Sequence, residues 1–431
     1  MDGTGTRRSL AGVLTVWAAS RTLLLLFVLK VFVFPGPDVT TDVSVIYRGW
    51  YEVLRGGAFP PDDVTWQYPP AAALAILSPA LLPFLEYTVA FGVLALLADL
   101  TVLCLLLYGG RRPGRPLRGA WTWTVGAALL GPTLYTRYDV MVTAVAVAAL
   151  FAGTRRPRTM GVLAGFGALL KVWPVLLLTG SARRRSWAAA AVTVIALGSL
   201  FLLTMPGALS FLTAQRDRGT EVESLGALVF HVARHFGWSG QVLLHYGSVE
   251  FVGPYVEVVS LASLALTGAA FGWLLLWRLC AHRLGPTALA DAAFTAVLLF
   301  TATSRVISPQ YLVWLVALAA VCLCFQGSGM VVPAGLVLAA ALVTVLEFPL
   351  FFAEVVAGDP LGIGLLFLRN GLLVTACVTA CRTLWRSTVS GRPARPARSA
   401  PRGRAPRPGE PPPRTAAGSG GCREGRSPAG G

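Results

Sequence analysis

Residues 10 to 34 read LAGVLTVWAASRTLLLLFVLKVFVF, an apolar run long enough to cross the ~30 Å hydrocarbon core of a bilayer as one helix. Runs of this kind recur as far as residue 381, separated by short arginine clusters. In hydrocarbon every backbone N–H and C=O must find a partner within the chain, so such runs commit it to a bundle of helices. Residues are 55% hydrophobic and only 13% charged, which excludes an ordinary soluble domain. The expected fold class is all-α: a polytopic membrane protein with about 12 transmembrane helices and both termini cytoplasmic.

The net charge of +16 raises the question of an anionic partner. Its placement answers it. Arginines gather in RRPGRPLR (111–118), TRRPR (154–158), residues 183–185 and the last forty-odd residues, between and after the apolar runs. That is the pattern of cytoplasmic loops facing anionic lipid, not of a basic groove, so nucleic acid is not an expected partner. Residues 1–386 form the expected membrane domain. Residues 387–431, rich in Arg, Pro, Gly and Ser, have little to bury and are expected to be a disordered cytoplasmic tail touching lipid headgroups. The seven cysteines show no metal spacing and none lies in an expected external loop. No disulfide framework, metal or cofactor is therefore expected, with Cys322 and Cys324 read as lipid- or helix-facing filler. No small-residue cleavage site precedes Lys30, so the first run reads as a retained span.

Charge asymmetry orients the rest. AAALAILSPALLPF (71–84) reaches only ~20 Å and holds two prolines, so it reads as a juxtamembrane or re-entrant helix. Residues 86–108 return to the arginine cluster. Residues 119–136 go out, Arg137-Tyr138-Asp139 makes a tight external turn, and 140–153 come back. Residues 160–181 have arginines at both ends yet suffice for a single crossing. They read as a hairpin of two short helices that breaks near Lys171-Val172-Trp173-Pro174. Spans follow near 187–203, 251–277, 288–303, after Pro309, 330–346 and 361–381, with an external loop over 205–250. No solenoid repeat is visible.

The polar investment is concentrated in Pro35 to Pro70. Within it Val43, Ile46, Tyr47, Trp50, Tyr51 and Leu54 recur at spacings of three and four, an amphipathic helix stopped by Gly56-Gly57. Its apolar face is expected to lie in the membrane interface and to hold Asp42 near the surface. Several cations then break the charge rule: Arg48, Arg55, Arg137, Arg216, Arg218, Arg234 and Arg305 fall outside. Lys171 sits in an apolar run, where an unpaired cation costs roughly 3 kcal/mol. Carboxylates accompany them, from Asp38, Asp42 and Asp139 to Glu221 and Glu223. Each has an ordinary structural alternative. Asp42 follows Thr40-Thr41 and could cap its helix. Asp38 sits in a solvated approach, and Arg48 and Arg55 could reach lipid phosphates. Arg137 and Asp139 could be a local ion pair, Lys171 could snorkel, and Glu223 could belong to a solvated loop. Ser308-Pro309-Gln310-Tyr311 reads equally as a helix start. The four histidines have no metal or triad spacing, and no phosphate loop or hydrolase elbow is present.

Taken in order, several of these stretches resemble the C-class membrane glycosyltransferases, specifically glycosyltransferase family 87, of the bacterial polyprenyl-phosphate mannosyltransferase type. The likeness is carried by Asp42 and Tyr47 with Gly56-Gly57, Tyr68-Pro69-Pro70, Arg137-Tyr138-Asp139 and Lys171-Val172-Trp173-Pro174. Arg218-Gly219, Glu223-Ser224 and Ser308-Pro309-Gln310-Tyr311 complete it, over roughly residues 10 to 380. The resemblance implies inverting transfer of a sugar, mannose first, from a polyprenyl-phosphate donor to a glycolipid or glycan hydroxyl at the outer face of a bacterial plasma membrane. It implies Asp42 as general base, with Asp38 as rival, and Arg137, Lys171, Arg218 and Arg305 as phosphate ligands. Tyr138, Asp139, Trp173, Glu223, Gln310 and Tyr311 complete the implied substrate-binding set.

Two other classes remain open from the residues alone. A transporter or lipid flippase would show inverted repeats and small external loops, whereas this chain has external loops of roughly thirty to forty-five residues. A non-catalytic assembly subunit would have no use for Asp42 and the cations. Within the enzyme reading, an arabinofuranosyl donor is the alternative to mannosyl.

Overall fold

The computed structural model describes residues 3–60, 63–110, 117–216, 219–245 and 247–390. Among the described residues, six helices are long and apolar enough to cross a membrane: Ser9–Val28, Tyr87–Gly110, Arg184–Thr204, Val256–Cys280, Val331–Leu350 and Pro360–Ser390. Shorter apolar helices, Asp139–Gly153, Ala288–Thr303 and Tyr311–Leu323 among them, fill the space between. The chain is thus a mostly helical, multi-pass membrane protein. The last helix continues through residue 390, with Thr388 buried and accepting a bond from Trp277 Nε1 at 2.9 Å. Residues 387–390, expected in the tail, therefore belong to the bundle; the remainder of that tail lies outside the described residues.

Helix Tyr311–Leu323 is the axis. It is apolar on all sides and buried along almost its whole length, which suits a helix enclosed by protein rather than one facing lipid on a side. Arg118–Ala128, Asp139–Gly153, Ala288–Thr303 and Val331–Val345 pack round it. Cys322 and Cys324 are buried in this packing, helix-facing rather than lipid-facing. Arg184–Thr204, by contrast, buries only Ser186 and Ala190. It is held where Gly161 and Gly165 let the Pro157–Leu170 helix approach closely: a Cβ at Gly161 would lie 2.1 Å from the Ser186 carbonyl oxygen.

A buried ion pair ties the first span to its neighbours. Arg21 Nε donates to Asp99 Oδ2 at 2.9 Å, and the same carboxylate accepts from Trp123 Nε1 at 2.6 Å and Tyr135 OH at 2.7 Å. Trp17 Nε1 adds a fourth donor residue at 3.1 Å. A lone charge at this depth would be costly, and the set of donors offsets that cost.

The chain between 157 and 180 does form a broken hairpin. Helix Pro157–Leu170 ends at Lys171, whose backbone is extended (φ −158°, ψ 134°), and a 3₁₀ segment follows over Trp173–Gly180. Two expectations need correction. The amphipathic helix of the first loop exists, as a π-turn over Asp42–Tyr47 running into Arg48–Arg55 and stopped by Gly56. Its apolar face, however, packs into protein: Val43, Tyr47, Trp50 and Leu54 are buried, and Tyr47 meets Phe91 and Tyr138. Its exposed residues, such as Arg48 and Arg55, face outward instead. The 205–250 segment is also no simple solvated loop. It contains a three-stranded antiparallel sheet in the order Thr220–Glu221, Ser248–Val252, Gln241–His245, with Glu221 opposite Glu250 and Val242 opposite Phe251. Glu223, just after the first strand, is only 4% exposed, so its solvated reading fails.

Candidate active site

Interruptions of the helical frame converge on one cavity of about 500 Å³. The first-loop helix brings Asp42, the turn before Asp139–Gly153 brings Arg137, and the break after Leu170 brings Lys171 and Trp173. The short strand and its turn bring Glu221 and Glu223, and the 304–311 segment brings Arg305, Gln310 and Tyr311.

Asp42 opens its helix without a side-chain cap bond. The helix entry is tied by Asp38 instead. Asp38 Oδ1 accepts from the Thr40 backbone N–H at 2.9 Å and the Thr40 hydroxyl at 2.7 Å, while Oδ2 pairs with Lys30 at 2.8 Å. Asp38 is half exposed and absent from the cavity wall. These bonds outweigh its modest burial and hold its carboxyl below the usual range. Asp42 is released for the cavity, where its carboxylate lies 2.5 Å from Arg137 Nη2. Burial pushes the Asp42 carboxyl above the ordinary aspartate value, and the Arg137 guanidinium pulls in the other direction without overcoming it.

Lys171 is the cation at the break. Its ammonium donates to Asp139 Oδ1 at 2.7 Å, and Trp314 Nε1 donates to that same oxygen at 2.7 Å. Tyr68, Tyr138, Tyr311 and Trp314 surround the ammonium with ring centroids 5.0–5.5 Å away. Trp314 is sandwiched between Trp173, at 5.1 Å, and Tyr311, at 4.2 Å. The Asp139 carboxylate and several π-faces hold this ammonium in position. Tyr138 and Asp139 are almost wholly buried and stand behind the cavity rather than on its wall, with the Tyr138 hydroxyl donating to the Leu170 carbonyl at 3.3 Å. They brace Lys171. Arg218 lies outside the described residues.

The sheet supplies two carboxylates with different tasks. Glu221 Oε2 accepts from the Ile307 backbone N–H at 2.6 Å and Oε1 from the Ser308 hydroxyl at 3.2 Å; its own N–H donates to the Arg305 carbonyl at 3.1 Å. Glu221 therefore shapes the segment that carries Arg305 and Gln310. Glu223 reaches back to Arg369, whose Nη1 lies 2.9 Å from it and 2.7 Å from Glu347. Asn370 Nδ2 donates to the Glu223 carbonyl at 3.2 Å. Burial beside Glu347 and Glu221 pushes the Glu223 carboxyl well above its ordinary value, against the pull of Arg369. Arg369 and Glu347 were not among the candidates read from the sequence, although an Arg-Asn pair inside the apolar run LLFLRNGLLV was the available signal.

Among the described residues, no group of His, Cys, Asp and Glu side chains is placed to hold a metal ion. The wall instead offers carboxylates, guanidinium and ammonium groups, and a belt of indole and phenol rings. It can hold an anionic headgroup, a ring with hydroxyls and a carboxylate base within one enclosure.

The sequence model of glycosyltransferase family 87 matches residues 66–309 of the chain, so the first-loop helix with Asp42 lies just before the matched region. No curated protein matches. Among solved structures, the crystal structure of ArnT from Cupriavidus metallidurans bound to undecaprenyl phosphate is similar with a TM-score of 0.41 and 13% identity, over 88% of this chain and 78% of that one. The apo ArnT structure from the same organism gives 0.40 and 14%, with the same coverage.

Proposed function

As the chain belongs to glycosyltransferase family 87, and is therefore a glycosyltransferase, we propose that it transfers mannose from a polyprenyl-phosphate donor to an acceptor hydroxyl, with inversion, at the outer face of a bacterial plasma membrane. The observation that carries this reading is the pairing of Asp42 with Arg137 on the wall of a cavity that also receives Lys171 and Arg305. A base and a cationic surface thus share one enclosure.

The chemistry follows from those groups. Asp42 accepts the proton of an acceptor hydroxyl as its oxygen attacks the anomeric carbon. The bond from that carbon to the phosphate oxygen breaks on the opposite face, which inverts the centre. The polyprenyl monophosphate leaves with the bonding electron pair, and its growing charge meets Arg137, Lys171 and Arg305 in a partly dry site. The oxocarbenium-like transition state gains from nearby carboxylate charge. Trp173 and Tyr311 offer flat surfaces for a sugar ring, and Glu223 and Gln310 offer partners for its hydroxyls. The acceptor is a glycolipid or glycan of the envelope.

Purified protein with isotopically labelled donors tests the substrate. Transfer is expected from polyprenyl-phosphate-mannose and not from a nucleotide-linked mannose supplied alone. Transfer from the nucleotide sugar refutes the lipid donor, and preferential use of polyprenyl-phosphate-arabinofuranose refutes the sugar.

The Asp42–Arg137 pair also sets a pH dependence. Only the ionised carboxylate is a base, so activity rises as pH climbs through its raised pKa. Arg137→Gln removes a lowering influence, and the acid limb of kcat/KM should move to higher pH in addition to any loss of rate. A limb that stays in place would dissociate the profile from Asp42.

A further inference from the structure

A second cavity, of about 740 Å³, lies at the other ends of the helices that build the first. Asp139–Gly153 begins beside Arg137 and ends at Thr154 and Arg155. Pro157–Leu170 begins after Arg156 and ends at Lys171. Ala288–Thr303 begins after the turn at 284–286 and ends just before Arg305. Each helix has one end at each cavity, so the two are separated by roughly 20–25 Å, the length of 14–16 residues at 1.5 Å each.

Three exposed arginines line this second cavity: Arg155 and Arg156 from one inter-helix turn, Arg183 from another. Among the described residues, no carboxylate lies on its wall and none of the three arginines forms an ion pair. The floor is apolar, with Phe151 stacked on Phe325 at 6.3 Å beside Leu105 and Leu289. It is closely packed, since a Cβ at Gly109 would come within 2.5 Å of the Phe151 ring. Arginines in loops at one membrane face require no ligand. Three of them on the wall of one hollow with a greasy floor is more than that rule requires.

We propose that this cavity binds the phosphate headgroup of an anionic membrane phospholipid at the face opposite the catalytic cavity. Guanidiniums match phosphate oxygens in geometry and charge. Basic pockets between membrane helices hold such headgroups, while the acyl chains remain against the lipid-facing helices.

Full-length protein in neutral detergent is titrated with short-chain phosphatidic acid, phosphatidylcholine and inorganic phosphate, with native mass spectrometry and thermal unfolding as readouts. Wild type should retain one phosphatidic acid and unfold at a higher temperature with it. The Arg155→Gln, Arg156→Gln, Arg183→Gln triple variant should bind at least about tenfold more weakly, as loss of charge-assisted bonds implies. The control triple Arg158→Gln, Arg184→Gln, Arg185→Gln removes the same charge from arginines outside the cavity and should bind like wild type. The single Arg156→Gln, an exposed change with little effect on folding, should give an intermediate loss. Equal weakening in the control triple means diffuse surface charge and overturns the proposal. So does full competition by equimolar inorganic phosphate, or phosphatidylcholine bound as tightly as phosphatidic acid.

Discussion

Asp42→Asn should lower sugar transfer by about two to four orders of magnitude at equal expression, the range lost when a positioned base is removed. The substitution keeps the size of the side chain, and no cap bond is lost because Asp42 makes none. What disappears is a carboxylate 2.5 Å from Arg137. Asp38→Asn is the matched control. It weakens the Lys30 pair and the Thr40 bonds at a half-exposed position away from the cavity, so activity should stay within about tenfold, in line with the small worth of surface pairs. Steady-state and single-turnover transfer from labelled lipid donor read both. If Asp42→Asn keeps most of the activity and Asp38→Asn loses it, the base assignment passes to Asp38. If both retain activity, neither is the base.

The second large effect is on stability. Arg369 is wholly buried, with Glu223 and Glu347 both within 3 Å of its Nη1. Arg369→Met leaves two carboxylates in a dry interior without their cation, and breaking a buried pair in this way costs about 3–5 kcal/mol. The variant should show a markedly lower unfolding temperature, or little monodisperse protein after extraction. Adding Glu223→Gln and Glu347→Gln removes the stranded charges and should recover much of the loss, because a neutral set needs no counter-ion. Wild-type stability for Arg369→Met alone would show that the triad holds nothing together.

How much of this was legible depended on whether the cause was local. The break at Lys171 could be read because arginines flank the segment at both ends and a cation with a proline three residues on cannot continue an apolar helix. The stop at Gly56 and the turn at Arg137 were local in the same sense. The face of the first-loop helix was misplaced because spacing identifies an apolar stripe, not what covers it, and protein interior and lipid are about equally apolar. Glu223 was misread because its environment comes from far away: a strand paired with residues 250–251 and an arginine at 369. Arg21 and Asp99 lie 78 residues apart, and each is a single charge lost in an apolar run. Both charges were visible; their pairing was not.

The short helix Asp139–Gly153, beside the broken hairpin of 157–180, has a consequence for the barrier across the protein. Helix Asp139–Gly153 has 15 residues, about 22 Å at 1.5 Å each, against a hydrocarbon slab of ~30 Å. None of its residues is exposed, so protein rather than lipid surrounds it, and the shortfall is met by the cavities at its two ends. The insulating layer is narrowest where Lys171 waits at one end and the arginine turn at the other. A charged group that enters the catalytic cavity therefore sits only about 22 Å from the opposite cavity, with protein rather than hydrocarbon as the insulator between them.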